Sequence, residues 1–249
     1  MTLVKKILTN ISLEWFESNN ISFHNRFGTR LRVGDEVRFL QDLSVEPYVG
    51  FHAGKNLFKI GYMSYSNSQL PLDVKVGRYC SIASGVSFIS YNHPWRCLST
   101  SVFTHDRKTD LTARTLRDFH FANENFKIVP NPQKDQVVVE NDVWIGQNCA
   151  LAAGVILGTG SIIAANSVVT KNVPPYAIVG GNPAKIIKFR FTDQICAALY
   201  ESQWWDYNYT EFFGMNISEP SIFLNEFNEK KSILLKFVPD KVRIADCPF

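Results

Sequence analysis

From Val139 to Pro174 the sequence divides into six consecutive hexads: VENDVW, IGQNCA, LAAGVI, LGTGSI, IAANSV and VTKNVP. The first position is always aliphatic (Val139, Ile145, Leu151, Leu157, Ile163, Val169). The fifth is always small or β-branched (Val143, Cys149, Val155, Ser161, Ser167, Val173). The fifth position of one hexad and the first of the next are two residues apart, so both face one side of a short strand. Val143 and Ile145 are then expected to point inward and Trp144, between them, outward. An α-helix, at about 3.6 residues per turn, would carry a six-residue stripe around its axis. Short strands joined by tight bends and coiled about an apolar interior hold the stripe in place, which is a parallel β-helix. With three hexads to a coil, Ile162, 18 residues after Trp144, is expected on the same outer face.

Weaker blocks precede this one. VGRYCS and IASGVS run from Val76 to Ser87, ending against Phe88, VGDEVR, FLQDLS and VEPYVG run from Val33, and IGYMSY at Ile60 is an isolated match. The blocks are out of phase, so insertions separate them. The largest covers about residues 89–138, far longer than an ordinary connection, and is a candidate functional loop. The period ends after Pro174-Pro175. Thr192 to Trp205 reads as a helix, with Asp193 near its start and Ile195, Ala198, Leu199 and Ser202 on one face. The expected organisation is a mainly β domain over residues 1–191 and a C-terminal helix and tail over 192–249, packed on the β-helix or on a neighbouring subunit.

Composition narrows the function. The 249 residues can bury a sizeable core, and 45% hydrophobic with 20% charged residues is globular rather than disordered. Twenty-six basic against 23 acidic residues leave +3, without the concentrated basic surface of a dedicated nucleic-acid binder. No run of 18 apolar residues provides a membrane span. Five widely spaced cysteines with no C-x-x-C pair argue against a metal or disulfide framework. Together with a first ten residues that lack a signal-peptide core, they point to a reducing, cytoplasmic setting.

The hexads, together with YNHPW (Tyr91–Trp95), NDVWIG (Asn141–Gly146), VGGNPAK (Val179–Lys185) and Trp204-Trp205, resemble one family. It is the hexapeptide-repeat acyltransferases, which fold as a left-handed β-helix. The likeness is to the xenobiotic (streptogramin-type) acetyltransferases and their polysaccharide O-acetyltransferase relatives, and it covers about Ile60 to Asp206. The resemblance implies a homotrimer with acetyl-CoA between neighbouring β-helices, no metal, and a histidine brought to the thioester by a loop excursion. The matching excursion is the insertion after Phe88, and the matching residue is His93 in Asn92-His93-Pro94.

Acetyl transfer from a thioester to a hydroxyl needs a base, stabilisation of the oxyanion, and two substrates held together. Histidine suits the first task because its ordinary pKa lies near neutrality. His93 is the candidate base against the alternative of a solvated loop histidine, and Pro94 restrains the backbone beside it. Asp106, Asp110, Asp118 and Glu124 are candidates to orient it, while His24, His52, His105 and His120 match no motif. Trp144, with Asn92, is a candidate for the acceptor site, and Trp144 equally for a subunit interface. For acetyl-CoA the resemblance implies Gln147 near the sulfur, Ala165 at the pantetheine arm, and Thr170, Lys171, Lys185 and Lys188 toward the phosphates. A solvated face is the alternative for the lysines.

The acceptor is expected to be a saccharide hydroxyl of a capsule, O-antigen or related glycan. A streptogramin- or chloramphenicol-type antibiotic, or an amino sugar, is the alternative within the same chemistry. A zinc carbonic anhydrase on the same fold would need three histidine ligands from the coils, and the hexads from Val139 to Pro174 contain no histidine. A β-helix scaffold without chemistry is the non-enzymatic alternative.

Overall fold

The inward pairs of the hexads make the interior. Val143, Ile145, Cys149, Leu151, Ser161 and Ile163 are all buried, while Trp144 is 55% exposed. Each strand pairs in parallel with the strand 18 residues on: Val138–Val139 with Ile156–Leu157, Trp144–Ile145 with Ile162–Ile163, and Ala150–Ala152 with Val168–Val169. Three hexads therefore make one coil, and the coils stack into three faces of a parallel β-helix. These features come from a computed structural model, which describes residues 2–25, 28–89, 93–106, 108–120, 128–129 and 136–249. The longest face runs from Ile21–Ser22 through Val49–Phe51, Tyr65–Ser66, Ser81–Ile82, Trp144–Ile145 and Ile162–Ile163 to Ala177–Gly181. The antiparallel strand Ala184–Phe189 ends it, and the tight turn between holds a cis Asn182-Pro183 bond. VGGNPAK is thus the hairpin that closes the last coil.

The N-terminal block departs from the hexad expectation. Val37, Leu43 and Val49 are buried as the period requires, but Val33 is 54% exposed and Glu36–Leu40 pairs antiparallel with Leu3–Ile7. The first coil has no coil beneath it, and an open edge must be covered. Besides Leu3–Ile7, helix α1 (Asn10–Ser18) serves this end. Thr9 and Ser12 form its capping box, and Phe16 is fully buried against Phe23 and Phe249. Ile60, isolated in sequence, is buried in the stack, with Lys59–Ile60 beside Lys75–Val76.

The chain leaves the stack after Ile89 without costing it a rung. Ser87–Ile89 lies against Ala150–Ala152, and Lys75–Val76 against Val138–Val139. Residues 90–135 form a compact unit of their own, carrying a 3-10 turn at Val102–Thr104 and helix α2 (Asp110–Asp118). Residues 1–89 and 136–249 form the other unit.

Helix α3 (Asp193–Ser202) starts on Thr192, whose hydroxyl accepts from the Ile195 amide. It stops short of the expected Trp205: Gln203 turns left-handed, and Trp204–Asp206 is a 3-10 turn. The remaining tail, which the sequence leaves unassigned, contains a 3-10 turn at Tyr209–Phe212 and helix α4 (Pro220–Lys230). These pack into a second apolar cluster around Leu199, Tyr207, Phe212, Phe223 and Phe227. The cluster is fastened to the β-helix by hydrogen bonds from Tyr62 to Asn208 (2.9 Å) and from Tyr79 to the Tyr207 carbonyl (2.6 Å). No helix among the described residues is long and apolar enough to cross a membrane.

Candidate functional site

In the unit of residues 90–135, His93 is exposed, and its Nδ1 meets the main-chain carbonyl of Thr100. A carbonyl only accepts, so in the neutral ring the proton sits on Nδ1 and Nε2 keeps its lone pair. This arrangement is what a general base requires. None of the acidic candidates is its described partner. Asp106 accepts from the Lys108 amide (2.8 Å), Asp110 pairs with Arg114 (3.0 Å), and Glu124 lies outside the described residues. A backbone carbonyl seven residues on does the orienting instead, because the turn after Pro94 brings it back to the ring. His105, which matches no motif, packs edge-on against His93 with ring centroids 4.9 Å apart. Nothing in the sequence flags it, since the contact depends on the 3-10 turn that returns the chain. Asn92 lies outside the described residues.

In the other unit, Gln147 and Ala165 occupy the same bend of successive coils. The Asn166 amide donates to the Gln147 carbonyl (2.8 Å). Gly146 allows the coils to pass there: a Cβ would stand 2.6 Å from the Ala165 nitrogen and 2.8 Å from the Ile163 carbonyl. Both residues are exposed, and among the described residues neither of their amides has a backbone acceptor. Lys185 joins this bend through its pairing with Gly180, whose neighbour across the coils is Ala164. Lys188 stands opposite Ile178, on the outer face of the closing hairpin. Thr170 and Lys171 lie at the next bend, after Val168–Val169. Lys171, Lys185 and Lys188 are exposed, and none makes an ion pair with a described residue.

Trp144 stands in one outward row with Tyr65, Ser81, Ile162 and Ile178. The row runs into a cavity of about 620 Å³ lined by Tyr65, Gly50, His52, Tyr48 and Met63. His52 stacks on Tyr65 at 5.6 Å and bonds Asn67, and burial holds its pKa below the ordinary value. The sequence gives no signal for this cavity, because its walls come from separate coils and the N-terminal cap. All five cysteines are free thiols. Cys80 and Cys149 face inward, and burial pushes Cys80 up to about 12, so it is packed rather than reactive.

The model of the bacterial transferase hexapeptide family (six repeats) matches residues 136–171. A probable macrolide acetyltransferase of Lysinibacillus sphaericus is 41% identical over 63% of this chain and 83% of its own length. A chloramphenicol acetyltransferase of Klebsiella aerogenes is 38% identical over 53% of this chain, which spans 59% of that protein. Among solved structures, a hexapeptide-repeat acetyltransferase of Vibrio cholerae is 25% identical over 59% of this chain and 70% of its own, at a TM-score of 0.34.

Proposed function

The chain belongs to the hexapeptide-repeat acetyltransferases, and from that premise we propose that it transfers acetyl from acetyl-CoA to a hydroxyl of an antibiotic-like small molecule. The observation that carries the chemistry is the His93 ring, with one nitrogen held by the Thr100 carbonyl and the other left with its lone pair. The acceptor class rests on the macrolide and chloramphenicol relatives. They favour the antibiotic alternative of the sequence reading over the saccharide placed first there.

Acetyl-CoA supplies an activated acetyl group on a thioester. His93 takes the acceptor's hydroxyl proton at Nε2 and can return it to the departing thiolate, so no covalent enzyme step is needed. The amides of Gln147 and Ala165, which have no backbone acceptor among the described residues, fit a ligand carrying an amide-rich arm and phosphates, together with Lys185, Lys188 and Lys171, which pair with no described acid, and with Thr170. Lysine offers a point charge rather than the bidentate fork of arginine, so the phosphate end is held by charge more than by geometry. Trp144 and its row supply an apolar wall for the acceptor or for a second subunit. With Asn92, it completes the proposed acceptor residues. We infer a left-handed coil and a homotrimer with active sites between subunits, working in the cytoplasm.

The test is thiol release from acetyl-CoA across macrolides, streptogramins, chloramphenicol and bacterial saccharides, with wild type and His93→Ala. Antibiotic-dependent release that falls by about 10²–10⁴ in the variant is expected. Release undiminished in the variant removes His93 as the base, and saccharide-only release restores the other acceptor. A stable monomer by light scattering overturns the shared site.

A further inference from the structure

We propose that the cavity under the N-terminal cap holds the body of the acceptor, and that His52 binds it there by accepting a hydrogen bond from a hydroxyl of a neutral ring compound. The proposal rests on the acetyl-transfer reading above and concerns the part of the acceptor that does not react. None of the residues assigned above to the base or to acetyl-CoA lines the cavity.

The walls come from two parts of the chain. Leu13 of α1, with Ile21 and Phe23 after it, lines the cavity from the cap, and Tyr48, Met63 and Tyr65 line it from the coils. Tyr48 and Met63 occupy the same bend of successive coils, where the Met63 amide donates to the Tyr48 carbonyl (3.0 Å). Both take the left-handed conformation, at φ of 60° and 57°. Neither is packed away, since Tyr48 is 52% and Met63 41% exposed. Aromatic and thioether groups open to a cavity of about 620 Å³ suit a ring compound of small-molecule size.

His52 is the polar group that this lining holds in one orientation. Its ring stacks on Tyr65, and its Nδ1 donates to the Asn67 side-chain oxygen at 3.2 Å. That oxygen only accepts, so the ring proton sits on Nδ1 and Nε2 keeps its lone pair. Gly50 makes room for the ring. A Cβ there would stand 2.5 Å from Nε2, so this nitrogen lies over a residue that itself lines the cavity. Nε2 bonds no described residue and is not sealed from solvent. Burial, with Asn67 opposing and Arg30 and His24 adding to it, holds the ring below its ordinary pKa, so it is neutral at pH 7. A neutral imidazole nitrogen lacks only a donor, which a hydroxyl supplies. Glu17, an exposed acid of the lining, and Arg30, close enough to act on His52, are of opposite sign, so neither a carboxylate nor an ammonium is favoured.

Equilibrium dialysis of the full chain without acetyl-CoA, using 2-naphthol and naphthalene, reads the cavity apart from any turnover. Wild type is expected to bind naphthol about tenfold more tightly than naphthalene, one hydrogen bond's worth. His52→Phe keeps a flat ring beside Tyr65 and removes both nitrogens. A thermal midpoint close to that of wild type checks its folding, and His52→Leu replaces it if the larger ring is not accommodated. In the variant naphthol falls to the affinity of naphthalene, which itself is unchanged. In thiol release, the KM of whichever acceptor wild type uses should rise about tenfold in the variant, with kcat little changed. Absence of binding by both rings, equal binding of the two by wild type, a naphthol preference that survives the substitution, or an acceptor KM that does not move overturns the proposal. No thiol release from any compound overturns the acetyl-transfer reading instead, and the dialysis alone then decides the cavity.

Discussion

A histidine becomes a directed base only when something fixes which nitrogen carries the proton. For His93, the base proposed above, that is the Thr100 carbonyl, with the His105 ring closing off one edge. His105 touches no substrate in this scheme and acts by positioning. Replacing it with Phe keeps a flat ring of similar reach, whereas Ala opens the contact. His105→Ala is expected to lower kcat on the order of tenfold with the KM for acetyl-CoA little changed, and His105→Phe to restore most of it. Equal loss in both variants would mean that the imidazole itself takes part in the chemistry. Asn92-His93-Pro94 is legible in sequence because it is contiguous. Thr100 and His105 are not, because their roles depend on a turn that no local propensity announces.

At the scale of the element, the hexads were readable for a simple reason. Within each short strand the side chains alternate, so Val143, Trp144 and Ile145 declare in, out and in by position alone. The same logic misjudged Val33, where the stack ends and its edge strand pairs with Leu3–Ile7 instead. Bends carry a different constraint, the clearance between successive coils. At Gly146 the next coil's backbone passes within 2.6 Å of where a Cβ would stand, and backbone cannot rotate away as a side chain can. Gly146→Ala is therefore expected to cost about 1–3 kcal/mol, seen as a fall in thermal midpoint of roughly 5 °C. An unchanged midpoint would show that the bend has slack.

Across the whole molecule, one ion pair joins the coils to the tail. Glu46 accepts from Arg78 Nε and Nη2, both at 2.8 Å, and from the Tyr62 amide, while Arg78 Nη1 donates to the Trp205 carbonyl at 3.3 Å. Burial works against the carboxylate, but the Arg78 and Tyr62 hydrogen bonds outweigh it and hold its pKa below the usual 4.5. Stability from a group lowered on folding is present above its unfolded pKa and drains away as the pH falls through the folded one. Glu46→Gln should then lose on the order of 2 kcal/mol at pH 7. The gap to wild type, measured by urea unfolding, should shrink below about pH 4.5. A gap independent of pH would assign the loss to packing. The partners sit 32 and 127 residues from Arg78, which is why no pattern in the chain predicted them.

The uninterrupted rungs on either side of residues 90–135 have an evolutionary corollary. Phe88 still meets Leu151 and Val76 still meets Val139, so the ladder does not register how long the excursion between them is. Insertions, deletions and exchanges within it leave every buried pair in place, whereas a single residue added to a coil would turn a face inside out. The ladder therefore sets no constraint on the length of the excursion, and a change of loop leaves the frame as it stands.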